Sequence, residues 1–166
     1  MERQYLTISD IDSVCIRLRN SISYNYPQYK SYMHFIYYYG CRIGELFDFR
    51  ISYNAETMKV QIIPQKKNNT RFLDVVHPDT QQWIEDINIT QNLFHLNKRN
   101  LQRIIEKENS IRGLRCGNKN IGAHIFRHNW IKKQVANGKQ ITTIDNLLGY
   151  TNQTVASTYA ISKIYY

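Results

Sequence analysis

"ISYNAETMKVQIIPQKKNNTRFLDVV", residues 51–76, is where the chain changes character. The runs "ISYN", "KVQIIP" and "RFLDVV" are short and rich in β-branched and aromatic residues, and the polar turns "NAETM" and "QKKNNT" separate them. Short runs of this composition, broken by turn residues, predict a small three-stranded antiparallel sheet. On either side of it the apolar period becomes helical.

Upstream, "LTISDIDSVCIRLRNSI" offers Thr7, Ser9 and Asp10 as caps and repeats Ile11, Val14, Cys15, Leu18 and Ile22 along one helical face. Pro27 suits the start of a second helix, "QYKSYMHFIYYYG", which Gly40 would end. "CRIGELFDF" resumes helical spacing through Ile43, Leu46 and Phe49. Downstream, Pro78 opens "PDTQQWIEDI", and "NKRNLQRIIEKENS" turns Leu101, Ile104 and Ile105 inward. "AHIFRHNWIKKQVAN", "TTIDNLLGY" and "NQTVASTYAIS" predict further helices. The fold class is therefore α+β, mainly α with a small antiparallel three-stranded sheet. At 166 residues, with no repeat and no Pro/Gly/Ser linker, one domain is expected.

No stretch approaches the roughly 20 apolar residues of a membrane helix. The opening "MERQYLTISD" carries neither a signal nor a transit pattern. Cys15, Cys41 and Cys116 are odd in number, far apart and in no C-x-x-C pair, which argues against a disulfide framework or a zinc ribbon. Lys and Arg total 22 against 13 Asp and Glu, a net charge of +9 that suits a polyanionic partner. The distribution is sharper than the total. No acidic residue lies between Glu108 and Asp145, an interval that holds Arg112, Arg115, Lys119, Arg127, Lys132, Lys133 and Lys139. Such a field fits a face that neutralises nucleic-acid phosphates.

Four stretches carry the chemistry. In "YYYGCRIGELF" a glycine ends one helix and Arg42 is presented at the start of the next. Arg42 and Glu45 could form a surface ion pair, but a cation near a helix N-terminus is disfavoured by the dipole, and anion binding would explain it. In "IIPQKKNNTRFLDV" the hairpin turn carries Lys66 and Lys67. In "HIFRH" His124 and Arg127, three apart, project to one side of a helix. As a metal site this is poor, since there is no H-E-x-x-H and the arginine would repel a cation. In "LLGYTNQTVASTYA" Tyr150 precedes Tyr159 by nine residues.

The order of these stretches resembles the catalytic domain of the tyrosine recombinase (phage integrase) family. That family carries G-x-R-x-x-E-L, a hairpin lysine, H-x-x-R-H, and then L-G-H or L-G-W with the nucleophilic tyrosine nine residues on. Here they stand as "GCRIGEL", "KKNNTR", "HIFRH" and "LLGYTNQTVASTY", and "YLTISDIDSV" looks like the usual opening of the domain. The resemblance implies a site-specific DNA recombinase or integrase acting through a covalent 3′-phosphotyrosyl intermediate, without metal, ATP or other cofactor. Arg42 and Arg127 would clamp the scissile phosphate and Tyr159 would attack it. His124 would hydrogen-bond the phosphate, Lys66 would protonate the leaving 5′-oxygen, and Lys67 is the fallback. Glu45 would brace the segment bearing Arg42, His128 would pack behind Arg127, and Arg112, Arg115, Lys119, Lys132, Lys133 and Lys139 would contact DNA. Tyr150 stands where the family has His or Trp, and Asp74 replaces the proline usual near the end of the hairpin, which leaves the path of that strand open.

The resemblance further implies one catalytic domain over residues 1–166, without the family's N-terminal core-binding domain. The expected partner is double-stranded DNA, with a tetramer on paired sites, a monomer free in solution and no membrane. The expected location is cytoplasmic, on the nucleoid or in the host cytoplasm if phage-encoded. A noncatalytic DNA-binding module with this fold and a type IB topoisomerase-like relaxing enzyme are the competing readings.

Overall fold

In a computed structural model of the chain, residues 8–65, 69–93, 96–111, 115–116, 119–120 and 122–148 are described. Helix α1 spans Ile8–Asn25 and buries the predicted stripe, Ile11, Val14, Cys15, Leu18 and Ile22. A 3-10 turn at Pro27–Tyr29 leads into α2, Lys30–Tyr39. Proline is at home there because its missing N–H would have no partner in a first helical turn. Tyr32, Met33, Phe35, Ile36 and Tyr39 of α2 are all buried, too many for a single stripe. The helix accordingly lies between α1 on one side and, on others, α3 (Thr80–Leu93) and α5 (His124–Ala136). The remaining helices are α4, Lys98–Ile111, and α6, Ile141–Leu148.

The sheet forms as the composition of the three runs predicts. Strands β1 (Ile51–Asn54), β2 (Lys59–Ile62) and β3 (Arg71–Asp74) are antiparallel in the order β1-β2-β3. The register pairs Ile51 with Ile62 and Ile62 with Arg71, while Val60 faces Leu73. Side chains alternate along a strand, so Arg71 and Leu73 turn into the protein while Phe72 and Asp74 turn to solvent. Asp74, whose presence left the strand's path open, sits in regular pairing opposite Lys59 and forms an ion pair with it. A further ribbon, β4 (Arg115–Cys116) with β5 (Lys119–Asn120), is antiparallel and has no counterpart in the sequence reading.

One expected helix is not formed. The spacing of Ile43, Leu46 and Phe49 predicts helix through residue 49, but only Ile43–Leu46 forms a single 3-10 turn. A 3-10 turn also brings i and i+3 together, so the apolar spacing does not distinguish the two. Asp48 and Phe49 then adopt left-handed backbone, φ 62° and 56°, and the Asp48 amide donates to Gln91 Oε1 at 2.7 Å. Phe49 is left 52% exposed as the chain turns into β1. The helix opened by Pro78 likewise begins two residues later, at Thr80, and runs on to Leu93. The helix expected at "NQTVASTYAIS" lies outside the described residues. Among the described residues no helix is long and apolar enough to cross a membrane.

Aromatic packing joins α2 to α3. His34 and Tyr38 both stack on Trp83, with ring centroids 5.2 and 5.3 Å away, and His77 stacks on the same indole at 4.5 Å. The Tyr39 hydroxyl, at the end of α2, accepts from the Val76 amide at 3.1 Å and so fixes the approach to α3.

Gly40 ends α2 with φ 60°, and its amide donates to Ile36 O at 3.0 Å. A Cβ there would fall 2.3 Å from Trp130 Cγ of α5, so the two helices meet over the bare Cα. Gly138, just after α5, also has a left-handed backbone, φ 82°, but a Cβ there would meet nothing within 4 Å. Gly138→Ala is therefore expected to cost only the left-handed strain, about 1–2 kcal/mol. Gly40→Ala should exceed that, reaching roughly 3 kcal/mol or more because the indole must also move. Urea denaturation of the two variants checks the difference.

Candidate active site

The site begins at the turn between α2 and β1. Arg42 is extended, φ −74° and ψ 148°, and heads the Ile43–Leu46 turn. A single 3-10 turn carries little macrodipole, so the electrostatic objection to a cation at this position largely disappears. The Arg42 amide donates to Glu45 Oε1 at 2.7 Å, and the Glu45 amide donates to Arg42 O at 2.9 Å. Glu45 is only 2% exposed, so its carboxylate is no part of a surface ion pair.

Its charge is met from the sheet. Arg71, on the inward face of β3 and itself buried, donates from Nη1 to Glu45 Oε2 at 2.6 Å and from Nη2 to Oε1 at 2.9 Å. Such a parallel fork is the strongest geometry available to a carboxylate. Arg127 of α5 approaches the same group, with Nη1 3.8 Å from Oε1, and donates to Gly40 O at 3.4 Å. Burial pushes the Glu45 carboxyl up, but the Arg71 fork, the Arg42 amide and the Arg127 charge outweigh it and hold the pKa below the usual range. Glu45 is thus ionised at neutral pH. Next to it the Cys41 thiol is raised to about 12 by burial and by the Glu45 charge, so it stays protonated.

Above the buried carboxylate lies a cleft of about 380 Å³. Arg42, Gly44 and Glu45 form one wall, Pro64 and Gln65 of the hairpin another, and His124 and Arg127 of α5 a third. His124 is the first residue of α5 and is exposed, while Arg127 one turn later is 4% exposed. The 3.6-residue period sets the two on one side of the helix, one at the mouth and one at the base. Lys98, Gln102 and Glu106, spaced one turn apart on α4, close the fourth side. Arg42 from one motif and His124 and Arg127 from another therefore share one concavity, and Glu45 lies beneath them. The arrangement can present cations and N–H donors to a tetrahedral anion.

The remaining predicted residues divide. Lys66, Lys67, Arg112, Tyr150 and Tyr159 lie outside the described residues, and Arg115 and Lys119 stand in β4 and β5. Lys139 is exposed in the turn after α5. Lys133 turns toward α1 and α2, where its Nζ is 3.2 Å from Asp12 Oδ1 and 3.4 Å from the Tyr37 hydroxyl. Lys132 requires a correction, because it is 0% exposed and its ammonium is held inside the protein, not on a DNA-facing surface. Burial of α5 is wider than a stripe: Ile125, Phe126, Asn129, Trp130 and Ile131 are buried around its circumference, and Lys132 continues that buried side. His128 is half-buried and is not among the cleft residues.

Two features escaped the sequence reading. Arg71 stands in the quoted hairpin, and strand alternation from Leu73 already turns it inward, where a charge requires a partner. The other is the polar face of α4, where Lys98, Arg99, Arg103 and Lys107 are all exposed opposite the apolar Leu101, Ile104 and Ile105.

No family model matches the sequence, and no curated protein sequence matches it. Solved structures do match. The chain is similar to XerA recombinase (16% identity, TM-score 0.64, covering 95% of this chain and 58% of that one). It is similar also to XerH site-specific recombinase bound to its difH substrate (16% identity, TM-score 0.65, covering 93% and 49%). A third is a lambda integrase dimer bound to a core site (15% identity, TM-score 0.69, covering 96% and 60%). The chain spans about half to three-fifths of the length of these structures. It has the catalytic-domain fold of the tyrosine recombinases.

Two histidines away from the cleft mouth give the fold a pH signature. Burial holds His128 down to about 4, aided by Lys132 and His124, and burial holds His34 down to about 4, aided by Arg19 and Lys30. Both are neutral in the folded chain while the unfolded chain takes up protons from about 6.5 downward, so the unfolded state gains as pH falls. Stability is expected to be level above that value and to decline between about 6.5 and about 4. Urea midpoints across this window should fall less steeply in His128→Asn and in His34→Asn than in the parent chain.

Proposed function

We propose that this chain is the catalytic domain of a site-specific DNA recombinase or integrase, which cleaves and rejoins double-stranded DNA through a 3′-phosphotyrosyl intermediate. The observation that carries this reading is the convergence of Arg42, His124 and Arg127 on one cleft around a buried, charge-matched Glu45. The net charge of +9 and the exposed cations of α4 beside that cleft support a DNA partner.

The two guanidinium groups bind the nonbridging oxygens of the scissile phosphate and stabilise charge as the phosphorane forms. The Tyr159 oxygen attacks phosphorus, the bond to the 5′-oxygen breaks, and that oxygen leaves with a proton from Lys66, or from Lys67. His124 hydrogen-bonds the phosphate and helps manage the phenolic proton. One phosphodiester is exchanged for a phosphotyrosyl ester of similar energy, so no ATP is consumed. Attack by the 5′-hydroxyl of a partner strand then runs the steps in reverse and rejoins DNA. Pairing of two sites requires several copies of the chain, a tetramer on DNA, and the reaction belongs in the cytoplasm where the DNA is. Tyr150, where the family has His or Trp, supplies one hydrogen bond to the phosphate and slows the chemistry without abolishing it.

A nicked cognate duplex, which traps the cleaved strand, is expected to give a protein–DNA adduct that survives denaturant. Tyr159→Phe should abolish the adduct with binding retained, and Arg127→Gln should slow its formation about 100- to 1000-fold. An adduct unchanged in Tyr159→Phe refutes the nucleophile. Salt-sensitive binding by the parent chain with no adduct on any trapped duplex favours the noncatalytic module instead.

A further inference from the structure

Glu45 is one buried carboxylate approached by three arginine residues, and they do not share it equally. Oε1 accepts from the Arg42 amide at 2.7 Å and from Arg71 Nη2 at 2.9 Å, and Oε2 accepts from Arg71 Nη1 at 2.6 Å. Arg127 Nη1, at 3.8 Å from Oε1, is beyond hydrogen-bond length. Arg71 thus holds both oxygens at hydrogen-bond length, and Arg127 stands farther off.

We infer that Arg71 is a positioning residue: by occupying both oxygens of Glu45 it keeps Arg127 from closing onto that carboxylate, and so holds the Arg127 guanidinium toward the cleft. This deepens the strand-transfer reading and rests on it for its catalytic consequence. The physical basis is local. Arg71 and Glu45 are both buried, 3% and 2% exposed, so an unmatched carboxylate at this point attracts the next available cation strongly. That cation is Arg127, which needs to move only about 1 Å to reach a hydrogen-bonding distance of about 2.9 Å. A guanidinium forked onto a carboxylate has spent the N–H pair that would otherwise grip a phosphate. Arg71 itself is not among the cleft residues and does not touch the reacting atoms. Its effect passes entirely through Glu45, and removing the Glu45 charge should cancel it.

The experiment is a charge-swap cycle on the full chain with the nicked duplex at saturating concentration, with rates referred to folded protein. Arg71→Gln is expected to lower the rate of adduct formation about 100-fold, as a 1 Å misplacement does, with duplex affinity little changed. Adding Glu45→Gln to it should restore most of that rate. Arg71→Lys, which keeps the charge but cannot fork, should fall between Arg71→Gln and the parent, and it keeps the test open if the glutamine variant does not fold. Crystal structures of the same variants supply a second readout, with Arg127 drawn to about 2.9 Å from Glu45 in Arg71→Gln and released in the double variant. Parent-like rates in both Arg71 variants overturn the inference, as does a double variant no faster than Arg71→Gln, or an Arg127 that has not moved. Should the parent chain form no adduct at all, the strand-transfer reading fails while the Arg127 position still decides this one.

Discussion

A carboxylate with almost no access to water organises this domain. Glu45 sits where α2 has ended and the sheet has not yet begun, and its two oxygens collect an amide from its own turn, a guanidinium fork from β3 and the approach of a guanidinium from α5. Three parts of the chain, separated by tens of residues, are thereby referred to a single point. Desolvating such a group is costly, and the cost is met only while the partners remain in place; stripping one partner from a buried pair costs roughly 3–5 kcal/mol. A segment that would otherwise be an irregular connection is tied to the two elements that build the cleft.

Apolar packing supports the same junction from behind. The left-handed end of α2 at Gly40 admits the Trp130 indole against bare backbone, and the Gly40 carbonyl accepts from Arg127. The side of α5 that carries Arg127 is thus pressed onto the end of the helix that leads to Arg42. Packing and electrostatics act on the same residues here, which is why side chains drawn from separate motifs meet at one cleft.

Much of this was legible in the residue order. The stripe of α1 follows from period, the three strands follow from β-branched and aromatic runs between polar turns, and Pro27 and Gly40 bracket the helix between them as their backbone preferences dictate. Elsewhere the pattern was ambiguous for stated physical reasons. Ile43, Leu46 and Phe49 are three apart, a spacing that a 3-10 turn satisfies as well as an α-helix, so the turn was read as a helix. The cleft was anticipated through Arg42, His124 and Arg127 because their motifs are ordered along the chain. Arg71 was passed over because a charge in a strand reads as solvent-facing until the register is known. Lys132 is the complementary case: a lysine in a basic stretch reads as exposed, but α5 is buried around much of its circumference, and a long aliphatic stem is compatible with that.

The inward turn of Arg71 has a consequence for how such a chain can change over generations. Its orientation follows from ladder pairing with Ile62, and through it with Ile51. Substitutions that keep the length of the connection between β2 and β3 leave the parity of the ladder untouched, so they do not turn Arg71 outward. A single-residue slip within β3 would instead bring Phe72 to the junction in place of Arg71 and strip Glu45 of its guanidinium fork.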